Sequence, residues 1–172
     1  MALLDVFSSS KRNARNSARA ESGDTDILDT LKQEHDEVKA LLEKLVASEK
    51  AAERTALVRK IKAALVPHVR AEEKVVYDAI IALKDKTAKV DGHEGYLEHK
   101  HADMALKKLE SIQPATSPEF TAAAKVLKEL VSHHVQEEES NVWRDVRKAF
   151  DEDARIAMNR QFLAAKKKVK VG

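Results

Sequence analysis

Cysteine is absent from the 172-residue chain, which removes disulfides, thiolate nucleophiles, iron–sulfur clusters and cysteine zinc sites together. Any metal chemistry must therefore use histidine and carboxylate. Glycine and proline are nearly as scarce, at four and three residues. An all-β sandwich or barrel needs a turn signal about every 8–12 residues, so that class is excluded. One all-helical domain of ordinary size is expected instead. No apolar run approaches the roughly 18 residues of a membrane span. The opening Met1 to Phe7 stretch is apolar before it is basic and is interrupted by Asp5, the reverse of a secretory signal's charge order. A cytoplasmic protein with no membrane partner is the expectation. No His-Glu-x-x-His helix, phosphate-binding loop or Gly-rich dinucleotide fingerprint occurs.

Charge is nearly balanced overall, with 31 Lys and Arg against 29 Asp and Glu. The balance hides an asymmetry. The termini carry Lys11, Arg12, Arg15, Arg19, Lys166, Lys167, Lys168 and Lys170 against Asp5 alone, leaving 23 bases and 28 acids between residues 20 and 165. The body is mildly acidic and the tails are basic. Those tails lack interleaved aromatics, so nucleic acid is disfavoured as a partner.

Residues 1–24 show little apolar periodicity and read as a flexible arm. From Thr25 the residues Ile27, Leu28, Leu31, Val38, Leu41, Leu42, Leu45 and Val46 recur at helical spacing, with Asp24 or Thr25 as the cap. A second helix is expected from about Glu53 to Leu83, with Leu57, Ile61, Leu65, Val75 or Val76, Ala79 and Leu83 inward. Pro67 lies inside it, where a lost backbone hydrogen bond costs on the order of 3 kcal/mol, so a kink or restart is expected there. A third helix should run from Gly92 or His93 to Gln113, stopped by Pro114. Ser117-Pro118-Glu119 has the cap, first-position proline and first-turn acid of a fourth. Asp151 caps a short fifth helix ahead of the Lys-rich tail. The predicted fold is an all-α, antiparallel up-down four-helix bundle over residues 25–150, followed by a short helix and basic tail over 151–172.

Each predicted apolar stripe is interrupted by a histidine: His35, His68, His99 and His134. Counted from the helix ends at 1.5 Å per residue, His35 and His68 lie at one level, about 20 Å from their shared turn, and His99 and His134 also match. The second-to-third connection fits less well and requires the 84–92 loop to climb back along the bundle. Two of the histidines sit in His-x-x-x-Glu, at His68/Glu72 and His134/Glu138, which puts imidazole and carboxylate one turn apart on one face. Burying such groups without partners costs several kcal/mol for each charge. A bound cation removes that cost by turning them into ligands. Two carboxylates from two helices can bridge two metals, with one histidine per helix completing a dinuclear site.

The order His35, then His68-Val-Arg-Ala-Glu72-Glu73, then Glu98-His99, then His134-Val-Gln-Glu-Glu138-Glu139 resembles the hemerythrin-like HHE family. The resemblance implies a bundle holding two iron ions, oxo- or hydroxo-bridged. Glu72 and Glu138 would bridge them, and His35, His68, His99 and His134 would be terminal ligands. It further implies that O2, H2O2 or NO is the small-molecule partner, in oxidative or nitrosative stress handling, or else iron or oxygen sensing without turnover. Oxygen-carrying members place a fifth histidine four residues after the third-helix ligand. Here that position is Asp103, so Asp103, Tyr96 and Tyr77 are candidates for the missing ligand. A carboxylate in that place predicts air oxidation rather than reversible oxygen carriage. Glu73 and Glu139 are either acceptors for imidazole N–H groups or solvated, and His93, His101 and His133 are expected in solvent.

Overall fold

The computed structural model describes residues 24–171, so the arm expected before that point lies, apart from Asp24, outside the described residues. Those residues are helical, with no strand among them. The elements are α1 (Ile27–Ala47), α2 (Ala51–Glu72), a π-helical turn (Glu73–Tyr77), α3 (Asp78–Ile81), α4 (Lys86–Ser111), α5 (Pro118–Glu137), a second π-helical turn (Glu138–Val142), α6 (Trp143–Ala149) and α7 (Glu152–Lys166). The first π turn joins α2 to α3 and the second joins α5 to α6, so these elements form two long interrupted rods. The α1 helix packs on α2 and α5, α4 packs on α5, and α7 lies across α1 and α2.

Local chemistry explains the starts. Asp26, and not Asp24 or Thr25, caps α1 by accepting from the Leu28 amide at 3.0 Å. The cap falls there because Ile27, fully buried, is already the first core residue. Ser117 accepts from the Phe120 amide with Pro118 in the first turn, and Asp151 accepts from the Ala154 amide at 2.9 Å, both as expected.

Two expectations fail. The α-helix runs unbroken through Pro67. Its packed face, with Leu65 and Val69 buried on either side, outweighs one missing hydrogen bond, and the irregularity falls instead at the π turn beginning at Glu73. The third long helix starts at Lys86 rather than Gly92, capped by Asp85, whose side chain accepts from the Thr87 and Ala88 amides. No loop climbs the bundle, because the connection is only Ala82 to Asp85. His68 now lies 13 residues before Ile81 and His99 lies 13 after Lys86, which restores the level match. Gly92 and Gly95 are inside the helix because neighbours leave no room for a side chain. A Cβ at Gly92 would stand 2.7 Å from Ile81 Cγ1, and one at Gly95 would stand 2.5 Å from Tyr77 Cζ.

The core divides into two apolar clusters. One contains Val38, Leu42, Leu65, Val69, Leu106, Leu127, Val131 and Val135. The other contains Ile27, Leu31, Val76, Tyr77, Ile80, Trp143 and Val146, together with Met158 and Phe162 from α7. Between them lies a polar layer: Leu31 belongs to one cluster and Val38 to the other, and His35 is the buried residue separating them.

Candidate metal centre

His35, His68, His99 and His134 all reach this layer, and none is more than 7% exposed. Glu72 and Glu138 join them at 0% and 2%. Glu72 Oε2 stands 3.3 Å from His68 Nε2 and 3.4 Å from His99 Nε2. Glu138 Oε2 stands 3.3 Å from His35 Nε2 and 3.6 Å from His134 Nε2. Each carboxylate therefore lies between histidines of different rods. His35, His68 and Glu72 offer donor atoms within 4.8 Å of one another, as do Glu72, His99 and His134, so Glu72 belongs to both groups.

The outer faces of the imidazoles are occupied by a second set of glutamates. His68 Nδ1 meets Glu34 at 3.0 Å, His99 Nδ1 meets Glu73 at 3.3 Å, His134 Nδ1 meets Glu98 at 2.8 Å, and His35 Nδ1 meets Glu139 at 3.1 Å. Every one of these glutamates is the sequence neighbour of a cluster residue, yet each holds the histidine of the next rod, closing a ring around the bundle. An ionised carboxylate only accepts, so each Nδ1 carries the proton and each Nε2 is turned inward. Glu73 and Glu139 are thus imidazole acceptors rather than solvated acids. Glu34 and Glu98 share that role, which sequence spacing did not reveal because the pairing runs between helices.

Electrostatics shows what the layer lacks. Burial raises both inner carboxyls, but the adjacent His68 charge overcomes it at Glu72, which is held well below the usual carboxylate range. At Glu138 burial and then the neighbouring Glu72 charge act together and push the group up to about 7. The two neighbouring carboxyls are driven apart, Glu72 toward ionisation and Glu138 toward protonation. Burial opposes protonation of His68, but Glu72 and Glu34 raise it to about 10. His134, where burial prevails, is lowered. Both oxygens of Glu72, both of Glu138 and Nε2 of His35 have no hydrogen-bond partner. The Nε2 atoms of His99 and His134 face each other at 3.1 Å, a contact that needs a proton or a cation between them. Donors of this kind in this arrangement fit metal ions, because inward lone pairs without protein partners become ligands.

Residues 26–144 match the family model described as the hemerythrin HHE cation-binding domain. The chain belongs to that family. The hemerythrin-like chain is also similar to a DNA nickase of Nostoc sp. (strain PCC 7120 / SAG 25.82 / UTEX 2576), with 27% identity over 146 residues. That alignment takes in 85% of this chain and 40% of the relative, so the chain spans well under half of the curated protein it matches. No solved structure matches it.

The three candidates for a further ligand fall in different places. Tyr77 reaches the hemerythrin-like layer: it is fully buried, its hydroxyl lies 3.4 Å from His99 Nε2, and burial with the nearby Glu138 and Glu72 charges keeps it protonated well above the ordinary range. The π turn makes this possible by placing Val75, Val76 and Tyr77 successively in the interior. Tyr96 points away, donating to the Glu73 carbonyl at 3.0 Å and the Asp78 carboxylate at 2.8 Å. Asp103 also stands outside the layer and pairs with Arg70, which in turn holds Glu73 Oε1 at 2.8 Å. Asp103 is therefore linked to His99 only by the chain of contacts through Arg70 and Glu73. Its carboxylate is engaged by Arg70 and stands away from the layer, so the expected air oxidation has no support from Asp103. His93, His101 and His133 are exposed. Trp143 stacks on His35 with centroids 5.9 Å apart, and Phe162 meets His68 edge-on at 5.8 Å, walling one side of the layer with aromatic surface.

Proposed function

We propose that this hemerythrin-like chain is a cytoplasmic non-haem di-iron protein that reacts with O2, H2O2 or NO in oxidative or nitrosative stress handling. In this reading residues 25–150 form an antiparallel up-and-down bundle, covered by α7. Glu72 and Glu138 would be the bridging ligands of two irons, and His35, His68, His99 and His134 the terminal ones. The observation that carries the proposal is the set of buried inward atoms without partners: the oxygens of Glu72 and Glu138 and Nε2 of His35. Bound iron would supply one- and two-electron redox chemistry toward such small molecules.

The chain's own residues do the rest. The outer glutamates fix the orientation of each imidazole and raise its basicity. Tyr77 holds a proton at Oη beside His99, ready to donate to a small molecule in the layer. Val38, Leu65, Val69, Ala102, Val131 and Val135 line the space on the opposite side of the histidines, so that approach is apolar and excludes bulk water. Nucleic acid stays disfavoured as a partner, despite the relative's name, because the cleft that reaches Glu138 is lined by Asp91, Glu94, Glu98 and Glu137, which repel phosphate.

The test is consumption of H2O2 and of NO by iron-loaded protein, followed with electrodes. Wild type should consume at least one of them and His68→Ala should not. If loaded protein binds NO or O2 with a spectral change but turns neither over, the result favours the sensing alternative. If the wild type neither binds nor consumes any of the three, the proposal is wrong.

A further inference from the structure

Besides the apolar space against the histidines, two openings with charged linings approach the metal layer, and they differ in sign. The larger is a groove of about 550 Å³ between α1 and α2, bordered by Glu34, Glu37, Lys60 and Lys166. It is of mixed sign and reaches the layer only at Glu34, whose carboxylate is engaged by His68 at 3.0 Å and Lys166 at 2.6 Å. The smaller lies between α4 and the second π turn and encloses about 10 Å³, roughly the space of one water. Asp91, Glu94, Glu98, Glu137 and Glu138 line it, with no Lys or Arg among the lining residues.

The carboxylates are graded by depth. Glu94 is exposed, Asp91, Glu98 and Glu137 are half-buried, and Glu138 is buried at the floor. Two of the outer ones are partly committed, Asp91 to Arg144 at 3.2 Å and Glu137 to the Asn141 amide at 2.8 Å. Glu98 is held by His134. At the floor neither Glu138 oxygen has a hydrogen-bond partner, and Oε2 stands 3.3 Å from His35 Nε2, so the cleft ends on a carboxylate of the layer itself.

We propose that this cleft is the route by which a divalent cation, Fe(II) in the reading above on which this inference rests, reaches the layer. Glu94 and Glu137 raise the local cation concentration at the mouth, and Glu138 takes the ion at the floor. A passage this narrow admits an ion only as its hydration shell is exchanged for carboxylate oxygens, which the graded acids supply. A low-dielectric cleft lined by one sign of charge speeds arrival of the opposite sign by about 10- to 1,000-fold.

The experiment mixes metal-free full-length protein with ferrous sulfate under anaerobic conditions, quenches with a chromophoric chelator at set times, and repeats the uptake with Co(II) followed by its absorption. The E94Q/E137Q double variant should take up metal about tenfold more slowly, reach the same final stoichiometry, and lose most of the wild-type dependence on ionic strength. Glu37→Gln, at the other groove, should change the rate less than about twofold. Uptake by the double variant at the wild-type rate overturns the route, as does equal slowing by Glu37→Gln. A double variant that stays folded by circular dichroism but has lowered final stoichiometry also overturns it, because those glutamates would then be part of the site. Wild type that takes up no metal at all contradicts the metal-centre reading itself.

Discussion

Replacing Glu138 with glutamine isolates the electrostatic load of the metal-free layer. Glu138 is 2% exposed, and burial followed by the Glu72 charge moves its carboxyl from 4.5 to about 7. A carboxyl raised in the folded state keeps its proton there after the unfolded chain has lost it. Its contribution to stability is therefore full below 4.5 and is lost as pH rises through 7. At 1.36 kcal/mol per pKa unit the loss is about 3 kcal/mol. For a chain of this size that corresponds to roughly 6–12 °C in Tm. His68, raised to about 10, acts in the same direction between its ordinary 6.5 and 10. Metal-free wild type should thus melt lower at pH 8 than at pH 5, and Glu138→Gln should remove about 3 kcal/mol of that decline. The assay is calorimetry on chelator-dialysed protein at constant ionic strength from pH 5 to 8. A variant whose Tm runs parallel to wild type across this range would show that Glu138 does not carry this load. Iron-loaded wild type should show the opposite trend, because ligands must be deprotonated to bind.

Gly95→Ala places a Cβ 2.5 Å from Tyr77 Cζ. Overpacking of about 1–3 kcal/mol, less about 1 kcal/mol of helix propensity gained, should lower stability and alter the spectrum of the loaded protein; an unchanged Tm and spectrum contradict the packing. Arg54 is 5% exposed and donates to the Ser48 carbonyl, the Ala115 carbonyl and Thr121 Oγ1. Arg54→Met should cost about 2–4 kcal/mol by thermal unfolding while leaving iron content intact, and a loss of iron would show that the far end of the bundle is coupled to the layer. Deleting residues 167–172 should change neither Tm nor iron content. Deleting 151–172 removes Met158 and Phe162 from the core and should lose both cooperative unfolding and iron. Survival of the shorter chain with full iron would show that α7 is dispensable.

The helices and the inner residues were legible wherever one strand of sequence carries the signal. Ser117-Pro118 and Asp151 mark their helix starts by local capping, and the four histidines announce themselves as polar breaks in apolar stripes. What escaped is set by contacts between rods. The start of α4 was missed because Gly92 reads as a helix boundary, whereas Gly92 and Gly95 both lie inside the helix and admit Ile81 and Tyr77. The π turns have no residue signature here, so nothing in the sequence separated Tyr77, which turns inward, from Tyr96, which does not. Asp103 has the spacing of a ligand on its own helix, but Arg70 on α2 captures it. Glu34 and Glu98 adjoin histidines in sequence and serve different ones in space.

Whether Glu72 and Glu138 hold a pair of irons between them is decided by iron stoichiometry combined with electron paramagnetic resonance of the ferric protein after reconstitution. The account predicts two irons per chain and a spectrum silent from antiferromagnetic coupling through the bridges, with Glu72→Ala and Glu138→Ala each losing iron or coupling. A single iron per chain with the signal of an isolated ferric ion, unchanged in both variants, would contradict it.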